Sequence, residues 1–258
     1  MALSTDHASI MSVMIPFRLA APLSLALLAA CRTPAPPSAI DPALSARVPV
    51  ATVALAGIDL DRLRASPLHA RLPPTALAFL APFAPAHRVL IASTGVEFLT
   101  IARGAVPGAA RVAPDVALSG APSLVAAAAA AHPPSGILAS AESVADRPVW
   151  IVVRGGVALP LEGNLANVNN LLRDAGYVTL ALDPGDPADL QLVARCPTAD
   201  AALHFERSFR AVVSLAIASN ARQPATAAML QSIRSVREER VVRVSLSAPL
   251  DALVKLAF

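Results

Sequence analysis

Arg154, Arg195 and Arg243 each stand in or at the end of a run that alternates with the period of a β-strand: Trp150-Ile-Val-Val-Arg154, Leu190-Gln-Leu-Val-Ala-Arg195 and Val241-Val-Arg243-Val-Ser-Leu246. A guanidinium is a planar fork of donors that matches a carboxylate or phosphate edge, so three of them on one sheet surface would recognise an anion. Side chains alternate faces along a strand. If Leu190, Leu192 and Ala194 face the core, then Gln191, Val193 and Arg195 share the open surface. The same parity places Trp150, Val152 and Arg154 there, and turns Arg243 and Ser245 outward where Val242, Val244 and Leu246 turn in. The expected ligand-binding set is Arg154, Arg195 and Arg243 with Trp150 beside them. The plainer reading of the same residues is three solvated arginines, one stacked on the indole.

The other polar groupings have structural explanations. Asp183-Pro-Gly-Asp186-Pro-Ala-Asp189 carries three carboxylates, but a calcium loop needs more oxygen ligands and a closing bidentate Glu, and two prolines with a glycine make a hairpin turn. Asn164, Asn167, Asn169 and Asn170 fit a helix cap and a wet helix face. His69, His87, His132 and His204 are scattered, with no paired-ligand spacing, so no zinc site is expected. Cys196 reads as a small apolar filler at a strand end, with Arg195 the local group that could lower its pKa. Neither a GxSxG elbow, a Ser-x-x-Lys pair, a Walker loop nor GxGxxG occurs. No catalytic residue, metal or cofactor is expected.

The elements that must position these residues follow from periodicity. In the first half the chain reads as a strand over Ala51–Ile58, helices over Asp59–Leu72 and Thr75–Phe83, and a hairpin of Arg88–Ser93 with Glu97–Arg103. A strand over Val116–Ser119 and helices over Ser123–Ala131 and Ile137–Ser143 complete it. In the second half the strands are Val149–Val153, Tyr177–Leu182, Leu190–Arg195 and Arg240–Ser247. The helices are one from its Asn164 cap to Asp174, one capped by Thr198 or Asp200 and running to Asn220, one over Ala225–Ile233, and a closing turn from Leu250 to Leu256. Two internal likenesses suggest duplication: Val116-Ala-Leu-Ser-Gly-Ala-Pro with Val244-Ser-Leu-Ser-Ala-Pro, and the hairpin endings Ile-Ala-Arg103 with Val-Ala-Arg195. The expectation is an α+β fold of two related ferredoxin-like halves (β-α-β-β-α-β), over 50–146 and 147–258. Its first and third strands would be parallel neighbours, bringing Arg154 and Arg195 to one rim. A single α+β sandwich without duplication is the alternative.

Of 258 residues 55% are hydrophobic and 3% aromatic, and the formal net charge is +3. Mean hydropathy is +0.58. Such a chain is not disordered by composition, and no uninterrupted apolar run is long enough to span a bilayer. Arginines and carboxylates are interspersed, which excludes the one-sign stripe of a nucleic-acid binder.

Met14-Ile-Pro-Phe-Arg18 forms a positive n-region, Leu19–Leu28 an apolar h-region, and Ala29-Ala30 a small-residue stop before Cys31. Leu28-Ala29-Ala30-Cys31 resembles the lipobox of bacterial lipoproteins. The resemblance implies a signal peptide over 1–30 and lipid attachment to the Cys31 sulfur, with the mature chain held to a membrane of the cell envelope. Arg32, which is not Asp, favours the outer membrane by the sorting rule of that family. Prolines 34, 36, 37, 42 and 49 suggest an extended tether over 31–49. The functional expectation is an envelope lipoprotein binding a protein partner or an anionic ligand without catalysis. The alternatives are a hydrolase or transferase acting on envelope lipid or peptidoglycan, and a carrier of apolar ligands.

Overall fold

Alternating and branched apolar runs become strands, and ten of them join one antiparallel sheet in the computed structural model, which describes residues 39–130, 133–157, 159 and 166–257. The strands are β1 (Ala54–Asp59), β2 (Ala86–Ser93), β3 (Phe98–Gly104), β4 (Ala110–Ala113), β5 (Val116–Gly120), β6 (Val149–Arg154), β7 (Tyr177–Asp183), β8 (Ala188–Arg195), β9 (Arg234–Glu238) and β10 (Val241–Ala248). Their order across the sheet is β4-β5-β3-β2-β1-β6-β7-β8-β10-β9. The helices are α1 (Pro42–Ser45), α2 (Leu60–Arg64), α3 (Pro74–Leu80), α4 (Pro122–Ala129), α5 (Gly136–Ala141), α6 (Ala166–Arg173), α7 (Ala199–Ser219), α8 (Pro224–Gln231) and α9 (Leu250–Ala257). The expected export signal, Cys31, His132 and the Asn164 cap lie outside the described residues.

The mixed α+β composition stands, while the ferredoxin-like order is corrected. That order requires β6 and β8 to be hydrogen-bonded parallel neighbours. Instead β6 pairs with β1 on one edge and β7 on the other, both antiparallel. With both edges of β6 occupied, β8 pairs with β7 and β10. What recurs is a different pattern: β1-β2-β3-β5-β4 outward from the centre on one side, β6-β7-β8-β10-β9 on the other. The edge strands β4 and β9 close the two sides, where the sequence reading placed no strand.

The two faces of the sheet are covered differently. On the front face, Leu55, Leu90, Leu99, Ile101, Val116 and Leu118 form one core with residues of α1, α4 and α5. On the back face, Val89 and Ala102 pack against Leu60 and Leu63 of α2. The back of the second side packs Val178, Ala194, Val242 and Val244 against Leu172 of α6 and Phe205 of α7. Further along that back face, Leu246 and Ala248 meet Met229 of α8 and Leu253 of α9. Thr198 caps α7, accepting from the Ala201 amide at 3.1 Å.

The expected tether is also corrected from residue 39 onward. Ile40, Leu44 and Val48 are 3%, 1% and 1% exposed and belong to the front core. Their four-residue spacing puts them on one side of the turn that Asp41 initiates, its carboxylate accepting from the Ala43 amide at 2.9 Å. The prolines at 42 and 49 fit this arrangement, since Pro42 occupies the first helical position, where no amide proton is needed.

Candidate anion-binding face

The front of the second side is where the predicted arginines meet. Residues opposite one another in a ladder share a face. Arg154 lies opposite Tyr177, Tyr177 opposite Arg195, and Arg195 opposite Val241, making one row across β6, β7, β8 and β10. The next row runs Val152, Thr179, Val193, Arg243. Arg154 and Arg195 are therefore two strand spacings apart, about 10 Å between backbones. Arg243 lies diagonally from Arg195, about 7–8 Å away. These are distances that guanidinium arms can close around one anion. Tyr177, between the two arginines, adds a phenolic donor. Arg154, Arg195 and Arg243 are all exposed.

The same rim forms although β7, and not a direct parallel pairing, joins β6 to β8. In an antiparallel meander, every second strand runs in the same direction, so β6 and β8 still end together with β7 between them. Tyr177 and Thr179 escaped the sequence reading because no expected neighbour relation put β7 between the arginines.

The matching row of the first side shows what makes this one unusual. There Asp59 lies opposite Arg88, Arg88 opposite Arg103, and Arg103 opposite Val116. Every charge in that row has a partner. Arg88 Nε is 3.5 Å from Asp59, and Arg103 holds Asp41 at 2.7 Å and Asp115 at 2.6 Å. At the second side Arg154 stands where Asp59 would be, and among the described residues no carboxylate lies within ion-pair distance of Arg154 or Arg195. Arg243 has Glu238 at 3.5 Å, both side chains more than half exposed, and a pair so open to solvent is worth little. The front core with α1, α4 and α5 extends over β6 and β7, where Val152, Thr179 and Ala181 are buried and Tyr177 packs against it; beyond them Gln191, Arg195, Arg243 and Ser245 are exposed, as is Arg154 at the rim.

Trp150 is not part of this surface. It shares the front face but is 5% exposed, inside the core formed with Ile40, Leu44 and Ile137. The reason is β1, whose Gly57 lies opposite Trp150. The indole lies across the space a Cβ on Gly57 would fill, and the first side's helices cover it.

Further along the same face a cleft of about 520 Å³ is lined by Asp189, Gln191, Gln231, Arg234, Ser245 and Ser247, among others. It extends the polar surface away from the arginine row. The other candidate groups are accounted for within the fold. Asp183 and Asp186 pair with Arg147 at 3.4 Å and Arg71 at 2.8 Å. His87 meets Asp61 at 2.9 Å on an exposed surface, with no hydroxyl in hydrogen-bonding reach among the described residues. Cys196 is buried, and burial, with the Asp174 carboxylate second, pushes its thiol above the usual value. That is the opposite of the lowering Arg195 could have supplied. No group of three or more metal-ligating side chains occurs among the described residues, and no described helix is long and apolar enough to cross a membrane. No family model, curated protein or solved structure matches the chain.

Proposed function

We propose that this chain is a lipid-anchored lipoprotein of the bacterial envelope whose folded body binds an anionic ligand, without catalysis, on the open front of its second side. The carrying observation is the row Arg154-Tyr177-Arg195, whose two arginines are exposed and have no ion-pair partner among the described residues, where the equivalent row Asp59-Arg88-Arg103 is neutralised. Two related halves, formed by duplication of a five-strand unit, explain why the same strand order carries both rows. In this reading the first half became scaffold and the second kept its face free. The anchor is supported by Leu28-Ala29-Ala30-Cys31 after an apolar run, and outer-membrane placement by Arg32.

The binding reading is tested by calorimetric titration of the full chain with inorganic pyrophosphate. Each charge-assisted hydrogen bond contributes about 1.5–3 kcal/mol. Arg154→Gln combined with Arg195→Gln is therefore expected to weaken binding by at least about a hundredfold, while Arg88→Gln leaves it unchanged. Equal binding by all three proteins would remove the site. The anchor is read separately, by mass spectrometry of the Cys31 peptide from native membranes: an unmodified thiol rules it out.

A further inference from the structure

The longest described helix, α7, has little core to justify its far half. Of its residues only Ala202, Phe205 and Glu206 are buried, all among its first eight. Beyond Arg210 it reads Ala211-Val-Val-Ser-Leu-Ala-Ile-Ala-Ser219, without a charge. Val212 is 39% and Leu215 63% exposed. Residues three or four apart share a helix face, so Arg207, Ala211, Leu215 and Ala218 form one stripe, continued by Arg222 in the turn after the helix. All five are exposed. From Arg207 to Arg237 the chain contains Arg207, Arg210, Arg222, Arg234 and Arg237 and no carboxylate. Glu206 holds two of these, Arg210 at 2.8 Å and Arg237 at 3.1 Å. Arg207 and Arg222, at the two ends of the apolar stripe, have no ion-pair partner among the described residues.

An apolar stripe from Ala211 to Ala218, about 11 Å long at 1.5 Å per residue and bounded by Arg207 and Arg222, has the make-up of a helix that lies in a membrane interface. Its aliphatic residues enter the headgroup–acyl boundary and its arginines meet lipid phosphates. We infer that the far half of α7 docks on an anionic lipid surface. The observation that selects a bilayer is charge: Arg207 and Arg222, one at each end of the stripe and without an ion-pair partner among the described residues, complement phosphate headgroups. The stripe is distinct from the front-face row, since α7 packs on the back of the sheet. The inference draws on the proposed function only for the nearness of a membrane, and the test removes that dependence.

The test uses the full chain with Cys31→Ser, so that no lipid attaches, and Leu215→Cys carrying a polarity-sensitive fluorophore. Cys196 is buried and stays unlabelled. A control places the fluorophore through Val96→Cys in the exposed turn between β2 and β3. With vesicles of phosphatidylglycerol and phosphatidylcholine, the label at 215 is expected to brighten several-fold and shift to the blue, while the label at 96 does not. Pure phosphatidylcholine vesicles should leave both unchanged. Adding Arg207→Gln and Arg222→Gln should weaken the vesicle partition about five-fold each, about thirty-fold together. The proposal is overturned if the label at 215 responds equally to both vesicle types. It is also overturned if 96 responds as strongly, or if an envelope protein extract produces the change and vesicles do not.

Discussion

Arg103→Ala and Arg195→Ala remove side chains from equivalent positions of the two arginine-bearing rows, yet their expected consequences are opposite. Arg103 bridges Asp41 at 2.7 Å and Asp115 at 2.6 Å, and the Asp41 side chain is only 14% exposed. Exposed pairs contribute up to about 1 kcal/mol, and breaking a fully buried one costs about 3–5 kcal/mol. A half-exposed arginine leaving one largely buried carboxylate therefore costs about 2 kcal/mol. For a folded body of this size that lowers Tm by about 4–8 °C. Arg195 leaves no carboxylate behind. Its nearest like charges are Arg243, about 7–8 Å away on the diagonal, and Arg154, about 10 Å away, where repulsion in water is about 0.4–0.6 kcal/mol each before screening. Arg195→Ala should therefore raise Tm by about 1 °C or less, and slightly more at 20 mM salt than at 150 mM. Differential scanning calorimetry at pH 7 reads both, and pyrophosphate titration of the same proteins completes the comparison. Binding is expected to survive Arg103→Ala and fail with Arg195→Ala. A loss of stability in Arg195→Ala matching that of Arg103→Ala would show a structural arginine and refute the argument.

Three further outcomes follow from the fold. Gly57→Ala forces a methyl group into the Trp150 ring at the β1–β6 seam; urea unfolding should show a loss of about 1–3 kcal/mol, reduced when Trp150→Leu is combined with it. Leu44→Ala, at a fully buried position, should cost about 2–5 kcal/mol in the same assay, whereas a mere tether would give no change. Cys196 has a raised thiol pKa in the folded state, caused first by burial, so the unfolded chain ionises at lower pH than the folded one. Its contribution is present below the ordinary thiol range and disappears as pH rises through and beyond it; Cys196→Ala should flatten the loss of stability measured between pH 8 and pH 10.

Local pattern made much of this molecule legible. The hairpins β2–β3 and β7–β8, the α7 cap at Thr198 and the alternation of β6, β8 and β10 follow from residues near one another in sequence, and the structure places them accordingly. Pairing partners do not follow, because nothing within β6 specifies that β1 takes its free edge. Trp150 illustrates the difference: its parity was readable, but its cover comes from helices of the other side. β4 and β9 were missed because Ala-Arg-Val-Ala and Arg-Ser-Val-Arg-Glu are short and polar, as edge strands often are. In segment 39–49 the prolines point to an extended tether, while the spacing of Ile40, Leu44 and Val48 is the pattern that the fold uses.

One register difference accounts for the open face. Arg103 faces Val116 and Arg195 faces Val241, so the ladders equate Val116 with Val241, whereas the sequence likeness equates it with Val244. The Val-x-Leu-Ser motif thus sits an odd number of positions further along the ladder in the second half, and an odd shift turns every side chain to the other face. Val116 and Leu118 accordingly point to the front core, while Val244 and Leu246 point to the back. The following helix goes with them: α4 covers the front of the first half, α9 the back of the second. Arg243 then occupies the front position that Leu118 holds in the first half. An apolar residue there would demand a helix over it; an arginine keeps the face wet and adds a third cation beside Arg154 and Arg195. Arg243→Leu tests this directly. If register alone leaves the face open, the variant should expose a new apolar patch and self-associate in sedimentation velocity, with the fold intact by circular dichroism. A monomeric Arg243→Leu protein that still binds pyrophosphate as tightly as the parent would sever the link between the shift and the site.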